Sequence, residues 1–302
     1  MTGSHFPIRI PLRRPLGGLS YRYVTLVEGS AGWGEFSPLA GYPADPARCW
    51  EAAAEAAMVG WPTPVRTSVG VNGLIPALGP DEAAELALEW AADHGPDQVP
   101  TVKVKVGDAG DLNRIAAIRM ALGPKARIRV DANGAWDPES ARTRLMAMSR
   151  YDLELAEQPV ADLEDLARLR RRVPVILAAD ECLRATADVK RLVALAAADA
   201  VVLKVQPLGG VRPALAMAEV ALEAGVGVIV TSMWETSVGV AAGLALACAL
   251  PALDYACGLG GVSHLGPDVV AEPLVATGGR LTFRIPVPDP ERLAALARDG
   301  LG

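Results

Sequence analysis

Five charged residues recur along the chain at a nearly constant step. Lys105, Asp131, Glu157, Asp180 and Lys204 follow one another at intervals of 26, 26, 23 and 24 residues. A strand, a helix and their two connections fill about that length, so the step reads as repeated βα units. The runs 65–71, 102–106, 128–132, 153–157, 173–179, 200–205 and 226–231 have strand character, with a weaker eighth at 255–259. Helical patterns fill the gaps at 81–94, 111–122, 138–148, 163–171, 187–196, 212–224 and 237–249. Eight such units predict an α/β fold of the (β/α)8-barrel type, with a doubly wound open sheet as the alternative.

The run from Thr101 to Gly107 carries Lys103 and Lys105 two residues apart, so in a strand both point to one face and the valines to the other. An antiparallel strand with its lysines in water has the same pattern. Composition weighs against that reading, because only five of the 29 basic residues are lysine. Arginine keeps its proton at every useful pH, whereas lysine gives it up where burial or a neighbouring cation favours the amine. A barrel strand is covered on both faces, so the lysines must enter the barrel near its mouth, beside negative charge.

Asp131, Glu157 and Asp180 supply that charge from the ends of three successive strands. A single acid in such a place is often just a helix N-cap. Three together, with no histidine or cysteine beside them, make an all-oxygen donor set suited to Mg2+, with Mn2+ as a substitute. Alternation puts Arg129 on the face of Asp131, where it pairs with that acid or holds a substrate carboxylate, and places Asn133 just above. Glu181 alternates away from Asp180 and reads as a loop residue or a support for the residues of the site. Lys204 projects inward from across the barrel. Two amines facing each other over a divalent cation suit proton chemistry at a carbon next to a carboxylate, so the expected partner is a small carboxylate.

A net charge of −6 argues against a nucleic-acid partner. The stretch 238–250 is too short to span a bilayer and ends at Pro251, and residues 1–15 lack the apolar core of a signal peptide. Cys49, Cys182, Cys248 and Cys257 form no CxxC pair and fit buried positions in a reducing cytoplasm. Ahead of the barrel, 8–12 and 21–28 read as short strands joined by a loop over 11–20. Gly32-Trp-Gly-Glu35 then reads as a turn, and 45–59 as a helix opened by Asp45-Pro46. This makes a small α+β unit ending near residue 62. No oligomeric state is implied.

Lys103-Val-Lys105, Asp131-Ala-Asn-Gly-Ala-Trp136, Glu157-Gln-Pro159, Asp180-Glu181 and Lys204-Val-Gln-Pro207 together resemble the enolase superfamily, in the subgroup containing muconate lactonizing enzyme and o-succinylbenzoate synthase. Gly32 to Pro38, Val71 to Pro76, Glu235 to Gly243 and Ala256 to Gly260 look most like the synthase branch of actinobacteria. The resemblance implies a capping domain over 1–62, completed by 281–302, on a barrel over 63–280. It further implies Mg2+ on Asp131, Glu157 and Asp180, and Lys105 as the acid/base with Lys103 beside it. The implied reaction dehydrates a succinyl-hydroxycyclohexadiene carboxylate in menaquinone synthesis. An N-acylamino acid racemase or a dipeptide epimerase is the alternative, although the acidic pair expected of an epimerase after the eighth strand is replaced here by Ala256-Cys-Gly-Leu-Gly-Gly261.

Overall fold

The computed structural model describes residues 4–16, 18–95 and 98–298, so the ends of the expected capping segments, 1–3 and 299–302, lie outside the described residues. Strands β1 (His5–Leu16), β2 (Leu19–Gly29) and β3 (Gly32–Phe36) form an antiparallel sheet in that order. Ile8 faces Val24 across the ladder, and both join Ile10 and Leu26 in a buried cluster. Helix α1 (Pro46–Met58) covers the sheet; as expected, Asp45 caps it, accepting from the Ala47 amide.

Two expectations fail here, each for a physical reason. The segment 11–20 is mostly ladder rather than loop. Its prolines, Pro11 and Pro15, lie on the edge strand β1, where a missing N–H costs no internal pairing, and the register slips between Pro11 and Leu16. Gly32-Trp-Gly-Glu35 is strand β3 rather than a turn. Its glycine serves close packing, since a Cβ on Gly34 would stand 2.0 Å from the Ala53 carbonyl of α1.

Beyond the cap, β4 (Ser68–Gly70) precedes a parallel sheet of seven strands in sequential order. These are β5 (Gly73–Ile75), β6 (Thr101–Lys105), β7 (Arg127–Asp131), β8 (Leu153–Glu157), β9 (Leu177–Ala179), β10 (Ala200–Lys204) and β11 (Gly227–Thr231). Between them run α2 (Pro80–Ala92), α3 (Asp111–Leu122), α4 (Pro138–Met148), α5 (Leu163–Arg170) and α6 (Thr186–Leu195). A single turn α7 (Val205–Leu208) then leads into α8 (Val211–Glu223), and α9 (Ser237–Ala249) follows β11. The barrel's first strand is therefore β5, not the expected run 65–71. Within that run, β4 pairs antiparallel with β12 (Arg280–Thr282) instead.

The eighth place is taken by an irregular segment. Cys257 bridges Val71, and Gly258 bridges Thr231, which closes the circle. The close approach requires glycine at 258, where a Cβ would stand 2.2 Å from the Thr231 hydroxyl. The terminal helix α10 (Pro290–Arg298) returns to the cap and buries Leu293 and Leu296 against Ile8 and Ile10. The apolar stretch around α9 is buried along its length from Ser237 to Cys248. Among the described residues no helix is long and apolar enough to cross a membrane.

Cap and barrel are joined by carboxylates set on helix N-termini, where amides lack partners and the helix dipole favours negative charge. Glu55 of α1 accepts from Val211 N at 2.6 Å and Arg212 N at 3.2 Å, at the start of α8. Glu35 of β3 accepts from Thr236 Oγ1 at 2.5 Å and Gly239 N at 3.0 Å, at the start of α9. Burial, then the charge of Glu235, lifts the Glu35 carboxyl to about 7, against the pull of Ser37, Thr236 and Arg22.

The unfolded chain ionises Glu35 near 4.5, whereas the folded chain keeps the proton to about 7. The folded state thus binds more protons between those values, and stability falls as pH rises through that window. Glu35→Gln should flatten this slope by on the order of 1–3 kcal/mol, read from urea unfolding at several pH values. Equal slopes in variant and wild type would show that Glu35 is ionised throughout.

Candidate active site

The register of the parallel ladders sets the site. Lys105 of β6 lies beside Asp131 of β7, which lies beside Glu157 of β8, so all three occupy one level at the C-terminal end of the barrel. Asp180 follows β9, and Lys204 ends β10. Counting along the sheet, β10 stands four places from β6 in a barrel of eight places, so Lys204 comes from the wall opposite Lys105. Asp131, Glu157 and Asp180 are at most 2% exposed, Lys103 9% and Lys204 8%, whereas the Lys105 side chain is 28% exposed.

The six groups pair off. Lys103 Nζ lies 3.0 Å from Glu157 Oε1 and 3.1 Å from Asp131 Oδ2. Lys105 Nζ lies 2.6 Å from Asp131 Oδ2 and donates to Asn133 Oδ1 at 2.8 Å. Lys204 donates to Asp180 Oδ2. Burial disfavours the Lys103 ammonium, but the attraction of Asp131 and Glu157 outweighs it and its pKa is raised, so this lysine is a fixed cation. The same balance, with Asp180 as the main attraction, holds Lys204 charged. Burial, then the neighbouring Asp131 charge, raises Glu157 to about 7, while Lys103 and Lys105 overcome burial to hold Asp131 below the usual carboxylate range.

Arg129 departs from expectation, and Glu181 supports the site as expected but from another direction. Arg129 shares the inner face but pairs with neither Asp131 nor the mouth. It sits one layer down, beside Lys103 in the ladder and 1% exposed. Its Nε lies 2.5 Å from Glu154 Oε2, and Nη1 donates to the Ala256 carbonyl at 2.7 Å. The Asp131 pairing is thus replaced by Glu154, from the start of the next strand. Glu181 does not turn away from the site. Its Oε1 accepts from Asn133 Nδ2 at 2.9 Å, and its Oε2 is buried without a hydrogen-bond partner. Asn133, in a left-handed conformation at φ 47°, therefore bridges Lys105 and Glu181 across the rim.

Three further residues carry no charge signal in the sequence. Gln158 is fully buried at φ 37°. Its Oε1 accepts from the Asp180 amide at 2.7 Å, and its Nε2 donates to the Val160 carbonyl at 2.7 Å. Gln206, two residues after Lys204, ties that strand end to the cap, accepting from the Ser37 amide at 2.9 Å and donating to Glu235 Oε1 at 3.1 Å. Both glutamines precede a proline in the sequence, and that repeated pair was the available clue. The third, Tyr42, reaches the site from the cap and donates to Asp180 Oδ1 at 3.1 Å.

As they stand, the acids do not form a closed cage. Lys103 lies between Asp131 and Glu157, and among the described residues no three acid, histidine or cysteine side chains gather as ion ligands. The donor chemistry nevertheless fits a hard divalent cation. Every donor is a carboxylate oxygen, each acid already holds a cation, and one buried oxygen of Glu181 beside them lacks a partner. Such a barrel mouth, with amines on opposite walls and acids between them, can remove and return protons beside a carboxylate.

Comparison with known proteins agrees with this geometry. The family described as "Enolase C-terminal domain-like" matches residues 82–292, and "Enolase N-terminal domain-like" matches residues 8–57. The o-succinylbenzoate synthase of Thermobifida fusca (strain YX) is 49% identical, over 99% of this chain and 92% of that protein. Two solved structures share the fold with a TM-score of 0.86 and 98% of each chain covered. They are the N-succinyl Arg/Lys racemase of Bacillus cereus ATCC 14579, at 22% identity, and the muconate lactonizing enzyme of Pseudomonas putida, at 23%.

Gln158→Leu keeps the volume but unpairs the Asp180 amide and the Val160 carbonyl. It should cost about 1–3 kcal/mol for each buried group left unsatisfied, measured by chemical denaturation. Unchanged stability would show that the amide does not hold this loop.

Proposed function

The chain belongs to the o-succinylbenzoate synthase family within the enolase superfamily, and on that premise we propose how its barrel mouth performs the dehydration. The substrate, 2-succinyl-6-hydroxy-2,4-cyclohexadiene-1-carboxylate, loses water to give o-succinylbenzoate, so the enzyme is a hydro-lyase acting on a small carboxylate, a step of menaquinone biosynthesis. The observation that carries the mechanism is the contrast among the lysines. All three are paired with carboxylates, but Lys105 alone stands partly open at the mouth, whereas Lys103 and Lys204 are buried.

Lys105, as the free amine, takes the proton from the ring carbon that bears the carboxylate. The electron pair moves into the carboxylate as an enediolate. On its return the pair forms the ring double bond, and the neighbouring C–O bond breaks. The same Lys105 then hands its proton to the departing hydroxyl, which leaves as water, so the elimination is syn and the ring becomes aromatic. Asn133 fixes the Lys105 nitrogen on the rim and is the proposed contact to substrate there. Lys204 faces the opposite side of the ring and contributes its charge to the delocalised enediolate. A Mg2+ ion on Asp131, Glu157 and Asp180 would neutralise the charge developing on the substrate carboxylate, with Mn2+ as a substitute. Lys103 holds Asp131 and Glu157 in place as a permanent cation. Arg129 we assign to the layer below, where it anchors the floor of the site through Glu154 rather than reaching substrate. The cap over 1–62 with 281–302, set on 63–280, completes the enclosure.

Lysines on opposite walls also suit a racemase, in which the proton leaves one face and returns on the other. Three predictions test the proposal, and the last separates it from a racemase. Activity should vanish in EDTA and return with Mg2+ or Mn2+; full activity in the chelator would sink the metal assignment. Lys105→Arg keeps charge but cannot deprotonate, so it should lose dehydration by roughly 10²–10⁴-fold or more, as much as Lys105→Ala. Lys204→Arg should keep measurable dehydration while abolishing any racemisation of N-succinylamino acids. Equal loss of both activities, with wild type racemising faster than it dehydrates, would favour the racemase.

A further inference from the structure

Lys204 touches a residue that no strand-end pattern foretells. After β3 the cap loop makes two tight turns, with Tyr42 N donating to Leu39 O at 3.1 Å and Ala44 N to Tyr42 O at 2.8 Å. Gly41 stands at φ 83° with open space around it, so the glycine is there for the backbone turn alone. These turns project Tyr42 into the barrel mouth. There its hydroxyl donates to Asp180 Oδ1, and its ring face lies 4.3 Å from Lys204 Nζ. The side chain thus grips both members of the Lys204–Asp180 pair at once, from the other domain.

The two grips differ in what survives loading of the site. A divalent cation competes with Lys204 for the Asp180 carboxylate, since two positive charges cannot share one oxygen without repulsion. The ring of Tyr42 is a partner of Lys204 that carries no charge and that such a cation does not claim; its attraction for an ammonium is that of a π face. We propose that Tyr42 is a positioning residue through which the cap holds the Lys204 ammonium over the reacting ring once Asp180 is engaged elsewhere. The inference rests on the roles given above to Asp180 and Lys204. It makes cap closure and the placement of the opposite-wall cation one event.

The chain's five lysines make this testable by NMR on protein labelled at the lysine side chains, in the presence of Mg2+. The Lys204 signal is assigned by its loss in Lys204→Arg. In wild type and in Tyr42→Phe its ε-methylene resonance should be displaced upfield by the aromatic ring. In Tyr42→Leu it should move to the position of the exposed Lys125 and Lys190. Tyr42→Leu should also lower kcat about tenfold with KM nearly unchanged, a loss that Tyr42→Phe recovers in large part.

A Lys204 signal that is not displaced in wild type, or not moved by Tyr42→Leu, overturns the proposal even if a variant folds poorly. So does a rise in KM with kcat intact, which would make Tyr42 a substrate contact. Wild type that shows the displaced signal but does not dehydrate the substrate would overturn the assigned reaction while upholding the Tyr42–Lys204 contact.

Discussion

Three ammonium groups and three carboxylates share a volume at the barrel mouth that water scarcely enters, and the rest of the architecture follows from the need to balance them. Any one of these charges, buried alone, would cost several kcal/mol, and removing one partner of such a pair typically costs about 3–5 kcal/mol. Asp131 answers both Lys103 and Lys105, Glu157 answers Lys103, and Asp180 answers Lys204. Balance of this kind requires β6 to β10 to end at one level, on a sheet curled so that their inward side chains converge. The cluster is not a source of stability. It is carried by the apolar shell around it, in which α9 is buried along nearly its whole length.

The same residues that balance charge also leave the site poised. Lys103 and Lys105 hold Asp131 below the usual carboxylate range, whereas burial, then the Asp131 charge, lifts Glu157 to about 7. Arg129 and Glu154 form a second, separate pair beneath, so the floor of the barrel does not draw on the charges above it.

Polar groups outside the cluster hold the domains in register with it. Gln158 fixes the loop that carries Asp180, and Gln206 ties the end of β10 to Ser37 in the cap. Glu35 and Glu55 reach from the cap to the starts of α9 and α8, where unpaired amides wait for an acceptor.

The sequence by itself determined the periodic part of this protein. Strand-end charges at a regular step, lysine used sparingly but twice in one strand, and acids without histidine were enough to place Lys103, Lys105, Asp131, Glu157, Asp180 and Lys204 around one mouth, because alternation and the βα step are local rules. What depends on a distant partner was decided only by the tertiary structure. Pro11 and Pro15 read as a loop until β1 proved to be an edge strand, and Gly34 read as a turn until α1 was seen to press on it. The first strand lies at 73–75 rather than 65–71, because β12, far along the chain, pairs with β4. Alternation put Arg129 on the inner face correctly, yet offered it only the acid on its own strand or a substrate carboxylate, since no local rule reveals Glu154 on the neighbouring strand. Tyr42 is the extreme case: a lone aromatic in a cap loop, it acquires a role only when folding sets its ring against a lysine 162 residues away.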